Sequence, residues 1–95
     1  MSYRVLVSAP YFLPEIERFR PYFAENDLEP VIAPVEERLE EEDLLSLVSD
    51  IDAVLCGDDR FTARVMDAAP RLKVIAKWGT GVDSIDSAAA TERGI

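Results

Sequence analysis

Two glycines flank a threonine near the carboxyl end of the sequence, at Gly79-Thr80-Gly81, directly after a predicted strand. Glycines two positions apart let the backbone approach a ligand closely, and the exposed N–H groups of such a turn suit an anion such as a carboxylate. The segment also comes near the dinucleotide fingerprint G-x-G-x-x-G, but Ser84 stands where the third glycine belongs. We therefore favour carboxylate contact over a phosphate cradle.

Two further turns follow predicted strands and could carry chemistry, Ser8-Ala9-Pro10 and Gly57-Asp58-Asp59. The paired acids of the second could hold a metal ion or accept a phosphoryl group. Acidic residues in a glycine-containing turn are more often solvated turn formers, and we expect that ordinary role here. Lys77 and Trp78 have two equally weighted interpretations. They could contact a substrate or a neighbouring domain, or they could only cover the end of the core.

The sequence lacks histidine and has a single cysteine, Cys56. The commonest general base and the usual zinc ligand are therefore missing, and neither an internal disulfide nor a cysteine metal cluster can form. We expect no metal site and no catalytic residue in this chain. Cys56 has no imidazole to activate it and is predicted to be a small buried apolar residue.

Composition indicates one small globular domain, since 48% of the 95 residues are hydrophobic and 31% are charged. The net charge of −9 disfavours nucleic acid and anionic membranes as partners. No apolar run approaches the roughly 20 residues of a membrane span, and the first residues do not resemble a signal peptide. These features predict a cytoplasmic protein.

Strands and helices alternate along the chain without a hairpin signal, which predicts a doubly wound α/β fold with a parallel sheet. Helix one starts at Pro14 and is expected to kink or restart at Pro21, and Thr62 and Asp86 are expected N-caps. The predicted strands cover Arg4–Ser8, the segment 31–33 between Pro30 and Pro34 at a sheet edge, Ile51–Cys56 and Leu72–Lys77; the later helices cover Glu36–Val48, Thr62–Ala69 and Ser87–Arg93. A fifth strand is expected after the stop signal at Gly94, so the sheet is predicted to be incomplete.

The segment Leu72–Asp86, followed by Ala88-Ala89-Ala90 and Arg93-Gly94-Ile95, closely resembles a signature of D-isomer-specific 2-hydroxyacid dehydrogenases, nearest to the phosphoglycerate dehydrogenase branch. The likeness extends back through Ile51–Val54 and Thr62–Pro70. The resemblance implies an NAD-dependent enzyme that acts on a small 2-hydroxy or 2-keto acid, and a homodimeric parent protein.

The resemblance also implies a place for these residues within a longer protein. Residues 1–95 would open a flavodoxin-like substrate-binding domain, and the Rossmann NAD-binding domain and the catalytic residues would lie outside this chain. The segment alone is then not expected to be active. Backbone amides of the loop at Gly79, Thr80 and Gly81 would hold the substrate carboxylate, and the turn at Gly57 and Asp58 would face the substrate.

One departure from the family pattern concerns the substrate, because many members carry Arg-Ser where this chain has Gly57-Asp58. An arginine there could hold a phosphate or carboxylate, so the resemblance leaves the particular hydroxy acid open. The alternative function is a non-catalytic flavodoxin-like regulatory or interaction module. A phosphorylation receiver would need acids after strand one, where this chain has Ser8-Ala9-Pro10.

Overall fold

A computed structural model describes residues 3–33, 39–78 and 84–95. Strands and helices alternate through these residues, with a short 3-10 helix at Leu13–Glu15 leading into the first α-helix. The strands are β1 (Tyr3–Val7), β2 (Leu28–Ile32), β3 (Ala53–Cys56) and β4 (Val74–Lys77), and the helices are α1 (Ile16–Glu25), α2 (Glu41–Leu45), α3 (Ala63–Asp67) and α4 (Ser87–Glu92).

All four strands form one parallel sheet in the order β2-β1-β3-β4. In the register of the three strand pairs, Leu6 lies opposite Val31 and Val54, and Val54 lies opposite Ile75. This is the order of the first four strands of a flavodoxin-like sheet, so the predicted doubly wound α/β class is confirmed. The chain reverses its direction of winding between β1 and β3, where such folds place their ligands.

Helices cover both faces of the sheet because the inner strands carry continuous apolar runs, whose successive side chains point to opposite faces. Val5 and Val7 of β1 pack with Phe12 and Ile16 on the α1 face. Leu6 points to the opposite face and joins the larger cluster formed with α2, α3 and α4. The largest fully buried side chain of that cluster is Phe61, which precedes α3.

The second strand differs from its predicted bounds. It begins at Leu28, so Pro30 lies inside β2, opposite Val5, instead of marking the start of the strand. The strand is at the edge of the sheet, as predicted, and this position explains the proline, because an edge strand has one side on which no ladder N–H is required. Pro34, the other predicted boundary, lies outside the described residues.

Two helices also differ from their predicted form. α1 continues through Pro21 without a restart. α2 ends at Leu45, before the predicted end at Val48, and the predicted start at Glu36 lies outside the described residues. Val48 and Ile51 are still fully buried, so they contribute to the core from the connection to β3.

The expected caps of the last two helices are confirmed. The Thr62 side chain accepts a hydrogen bond from the N–H of Val65 at 3.3 Å, and the Asp86 carboxylate accepts one from the N–H of Ala89 at 3.0 Å. Gly94 has a φ of 72°, a conformation that favours glycine and ends α4. Within the described ranges, no helix has the length and apolar character needed to cross a membrane.

Candidate functional site

The candidate site lies where the chain leaves β1, β3 and β4, at the carboxyl edge of the sheet. The backbone N–H of Ser8 donates to the carbonyl of Leu55 at 3.0 Å, and the N–H of Trp78 donates to the carbonyl of Cys56 at 2.8 Å. These bonds continue the strand ladder beyond the strands themselves. The Gly57-Asp58 turn is thereby held between the segment after β1 and the segment after β4.

Gly57 is required by close packing at this edge. A Cβ placed on it would lie 2.8 Å from Cδ of Pro10 and 3.6 Å from Cα of Ala9. The proline ring is rigid and Ala9 is fully buried, so neither neighbour can move away at low cost. The absence of a side chain lets the β3 turn approach the β1 turn this closely.

Replacing Gly57 by alanine is expected to lower the free energy of unfolding by about 1–3 kcal/mol, because an added methyl group overpacks the contact with Pro10. Urea unfolding of the variant and the parent measures this loss. The same substitution in a Pro10→Ala background should cost less, since the clashing ring carbon is then gone. Equal costs in both backgrounds would contradict the steric explanation.

The two acids of the turn have different environments. Asp58 is 70% exposed, and its carboxylate pairs with the Lys77 ammonium at 2.8 Å. Asp59 is fully buried, which makes the expectation of two solvated turn formers wrong for this residue. Its carboxylate accepts hydrogen bonds from the Ser8 hydroxyl and from the Leu39 N–H. The donors to the Asp59 carboxylate come from segments that are distant in the sequence. The local sequence pattern around Asp59 therefore does not predict its burial.

Lys77 and Trp78 bring a charge and an aromatic ring to the same edge. The Lys77 side chain is only 9% exposed, so its charged end is directed at the Asp58 carboxylate while its stem is covered. Trp78 packs edge-to-face on Phe12, with ring centroids 5.0 Å apart, and remains 44% exposed. The ring therefore covers the end of the core and still presents a surface to an incoming molecule.

The structure brings together only part of the predicted site. Gly57 and Asp58 lie at the carboxyl edge beside Lys77, whereas Gly79, Thr80 and Gly81 lie outside the described residues. Lys77 belongs with this site because of its pairing with Asp58 across neighbouring strands. Its position at the end of a predicted strand was the only signal that the sequence offered.

Cys56 lies beneath the turn and is fully buried. Burial raises the pKa of its thiol to about 12, so the thiolate needed for nucleophilic or redox chemistry is scarce at neutral pH. This confirms its predicted structural role. Across the described residues, no three His, Cys, Asp or Glu side chains are grouped to hold a metal ion.

The turn after β1 does not fit the pyrophosphate of a dinucleotide. Pro10 has no N–H, and the N–H groups of Phe12 and Leu13 donate to the carbonyl of Ala9 at 3.1 and 3.0 Å. A phosphate cradle needs glycines and outward N–H groups at that place. We therefore assign no NAD contact to this turn.

Comparison with known proteins identifies the family. The model of the D-isomer specific 2-hydroxyacid dehydrogenase catalytic domain matches residues 5–95. The chain is 53% identical over 55 residues to glyoxylate reductase of Thermofilum pendens, covering 57% of this chain and 16% of the relative. It is 36% identical over 93 residues to D-3-phosphoglycerate dehydrogenase of Archaeoglobus fulgidus, covering 97% of this chain and 16% of the relative.

The fold is also found in solved structures. The crystal structure of NAD+-bound 3-phosphoglycerate dehydrogenase of Entamoeba histolytica superposes with a TM-score of 0.84 at 22% identity, covering 100% of this chain and 32% of that chain. The present chain thus spans less than a third of the proteins that it matches. From the sequence match and the parallel sheet together, this chain belongs to the D-isomer specific 2-hydroxyacid dehydrogenase family, within its catalytic domain.

Proposed function

We propose that this chain is a segment of the substrate-binding domain of an NAD-dependent D-2-hydroxyacid dehydrogenase. The observation that carries the proposal is the match of residues 5–95 to the catalytic domain of this family, and the Lys77 ammonium, 2.8 Å from the Asp58 carboxylate at the carboxyl edge of the sheet, is the candidate contact for an anionic substrate. The net charge of −9 on these 95 residues disfavours an anion at long range, so a local positive charge helps to bind one at this edge.

The residues of this chain would bind and orient the substrate. Lys77 attracts the carboxylate of a 2-hydroxy or 2-keto acid, Gly57 lets the turn that carries Asp58 pack against Pro10, and Trp78 covers one side of the site. The amides of Gly79, Thr80 and Gly81 remain the predicted carboxylate anchors. NAD would be bound by parts of the parent protein beyond these residues, and the chemical step belongs there too.

We further propose that the substrate is unphosphorylated. The exposed Asp58 carboxylate cancels much of the Lys77 charge, and it repels a doubly charged phosphate more strongly than a singly charged carboxylate. Relatives similar to this chain include glyoxylate reductases from Thermofilum, Thermococcus and Pyrococcus species and a hydroxypyruvate reductase from Thermotoga maritima, beside two D-3-phosphoglycerate dehydrogenases. A small 2-keto acid such as glyoxylate or hydroxypyruvate fits this charge balance.

The direct test is turnover. The protein encoded by the complete reading frame should oxidise NADH with glyoxylate or hydroxypyruvate, and a 3-phosphorylated analogue should have the lower kcat/KM. The 95-residue chain by itself should be inactive, and any dehydrogenase turnover from it alone would overturn its assignment as a segment. Absence of turnover with every 2-keto acid would instead favour the regulatory or interaction module. The homodimer and the cytoplasmic location stay predictions.

Replacing Lys77 by methionine in the complete protein should raise KM for glyoxylate about 10–100-fold, because a hydrogen bond to a charged group is worth about 1.5–3 kcal/mol. Steady-state kinetics measure the change. Lys73→Met is the matched control, since this exposed lysine lies before β4, at the opposite edge of the sheet. A similar KM in both variants would remove Lys77 from the site.

A further inference from the structure

Asp59 links three segments that are far apart in the sequence. Its carboxylate accepts hydrogen bonds from the Ser8 hydroxyl after β1 and from the Leu39 N–H, 2.6 Å away, before α2. The backbone of Gly57 supplies a third hydrogen bond to the same group. Arg60, the next residue, adds a backbone bond from its N–H to the Leu39 carbonyl at 3.1 Å.

These contacts hold the Gly57-Asp58 turn that follows β3. Pro10 packs against the same turn at Gly57. A fully buried carboxyl group is costly unless it is satisfied, and the three groups that donate to Asp59 are all neutral. Burial accordingly raises the pKa of Asp59, although the hydrogen bonds from Ser8 and Leu39 oppose that shift. The Asp59 side chain therefore acts through the hydrogen bonds that it accepts, more than through its charge.

We propose that Asp59 is a positioning residue that fixes the Gly57-Asp58 turn, and with it the Asp58–Lys77 pair, for binding of the 2-keto acid. It does so from beneath the turn, because its own carboxylate is enclosed and cannot touch the substrate. The relevance to binding rests on the proposed function. The positioning of the turn can be measured without substrate.

The substrate-free test is amide hydrogen exchange by NMR. Asp59→Ala removes the acceptor, so exchange at the Leu39 and Gly57 N–H groups should accelerate at least about 10-fold more than exchange at core amides of β1. Asp59→Asn retains one oxygen as acceptor, and its amide can donate to Ser8, whose hydroxyl can also accept. Exchange in Asp59→Asn should therefore stay close to that of the parent.

The kinetic test uses the complete protein. Asp59→Ala should raise KM for glyoxylate about 10–100-fold, since a displaced binding turn of this kind has an effect of that order, and Asp59→Asn should stay within about 3-fold. Asp67→Ala is the control, because this surface carboxylate pairs with Arg93 at 2.7 Å, between α3 and α4, and should leave KM unchanged. Loss of stability without a change in KM would mean a purely structural role and overturn the proposal.

A second variant, Ser8→Ala, keeps the proposal testable even where Asp59→Ala is not folded. If Asp59→Ala does not fold, Ser8→Ala removes one donor and leaves the carboxylate, and KM should rise about 3–10-fold with faster exchange at Gly57. Unchanged KM and exchange in Ser8→Ala, or equal damage from Asp59→Asn and Asp59→Ala, would overturn the proposal. A parent protein without any 2-keto acid turnover overturns the proposed function alone, because the exchange result then still decides whether Asp59 holds the turn.

Discussion

Replacement of Phe61 by alanine is expected to lower the free energy of unfolding by about 3–5 kcal/mol, a large share of the stability of a domain this size. Phe61 is fully buried in the cluster beneath the sheet, so truncation leaves a cavity as well as losing apolar burial. The residue also supports α4, since its N–H donates to the carbonyl of Ser84 at 3.1 Å and its carbonyl accepts from the N–H of Asp86 at 2.9 Å.

Urea unfolding followed by circular dichroism measures this effect. Tyr11→Ala is the matched control, because this ring is 83% exposed and its truncation should change stability by less than about 0.5 kcal/mol. Phe61→Leu should be intermediate, since it keeps most of the buried volume. If Phe61→Ala and Tyr11→Ala had similar costs, the larger cluster would not be the main core.

Replacement of Asp52 by asparagine is the second large effect, with an expected loss of about 2–3 kcal/mol at neutral pH. Asp52 lies at the amino edge of the sheet, opposite the candidate site. Its carboxylate receives the Arg4 N–H at 2.8 Å and two Arg71 guanidinium N–H groups at 3.1 and 3.0 Å. An amide cannot accept at both positions, so one donor loses its partner.

The same contacts predict the pH dependence of stability. The hydrogen bond from the Arg4 N–H, with the nearby Arg71 charge, lowers the pKa of Asp52 below its ordinary value. The stabilisation is therefore complete above the unfolded pKa of about 3.9, and it is lost as pH falls through the lower folded value. Asp52→Asn should remove this part of the acid sensitivity.

Asp67→Asn is the control for this prediction, because it makes the same chemical change in an exposed pair with Arg93. Surface pairs contribute little, so its cost at neutral pH should be much smaller than that of Asp52→Asn. Denaturation midpoints measured from neutral pH down to about pH 2 would separate the two variants. Parallel curves for Asp52→Asn and the parent would exclude Asp52 as a source of the acid dependence.

Local patterns in the sequence were sufficient for the class of fold. The continuous apolar runs in β1 and β3, the caps at Thr62 and Asp86, and the glycine at position 94 each act over a few neighbouring residues. Such interactions are visible in a single sequence because both partners are close in the chain. The bounds of β2 and α2 were less well predicted, since Pro30 is tolerated only because β2 has no partner on one side within the described sheet.

The candidate site was likewise predicted only in part from the sequence. The sequence by itself indicated a ligand edge at Gly57 and Asp58, because turns with glycine at the ends of parallel strands have that role in this class of fold. Only the tertiary structure showed that Asp59 is buried and that Lys77 pairs with Asp58, since their partners are supplied by other strands and loops. Burial and pairing depend on contacts across the sheet between residues that are distant in the sequence. Neighbouring residues in the sequence therefore do not predict them.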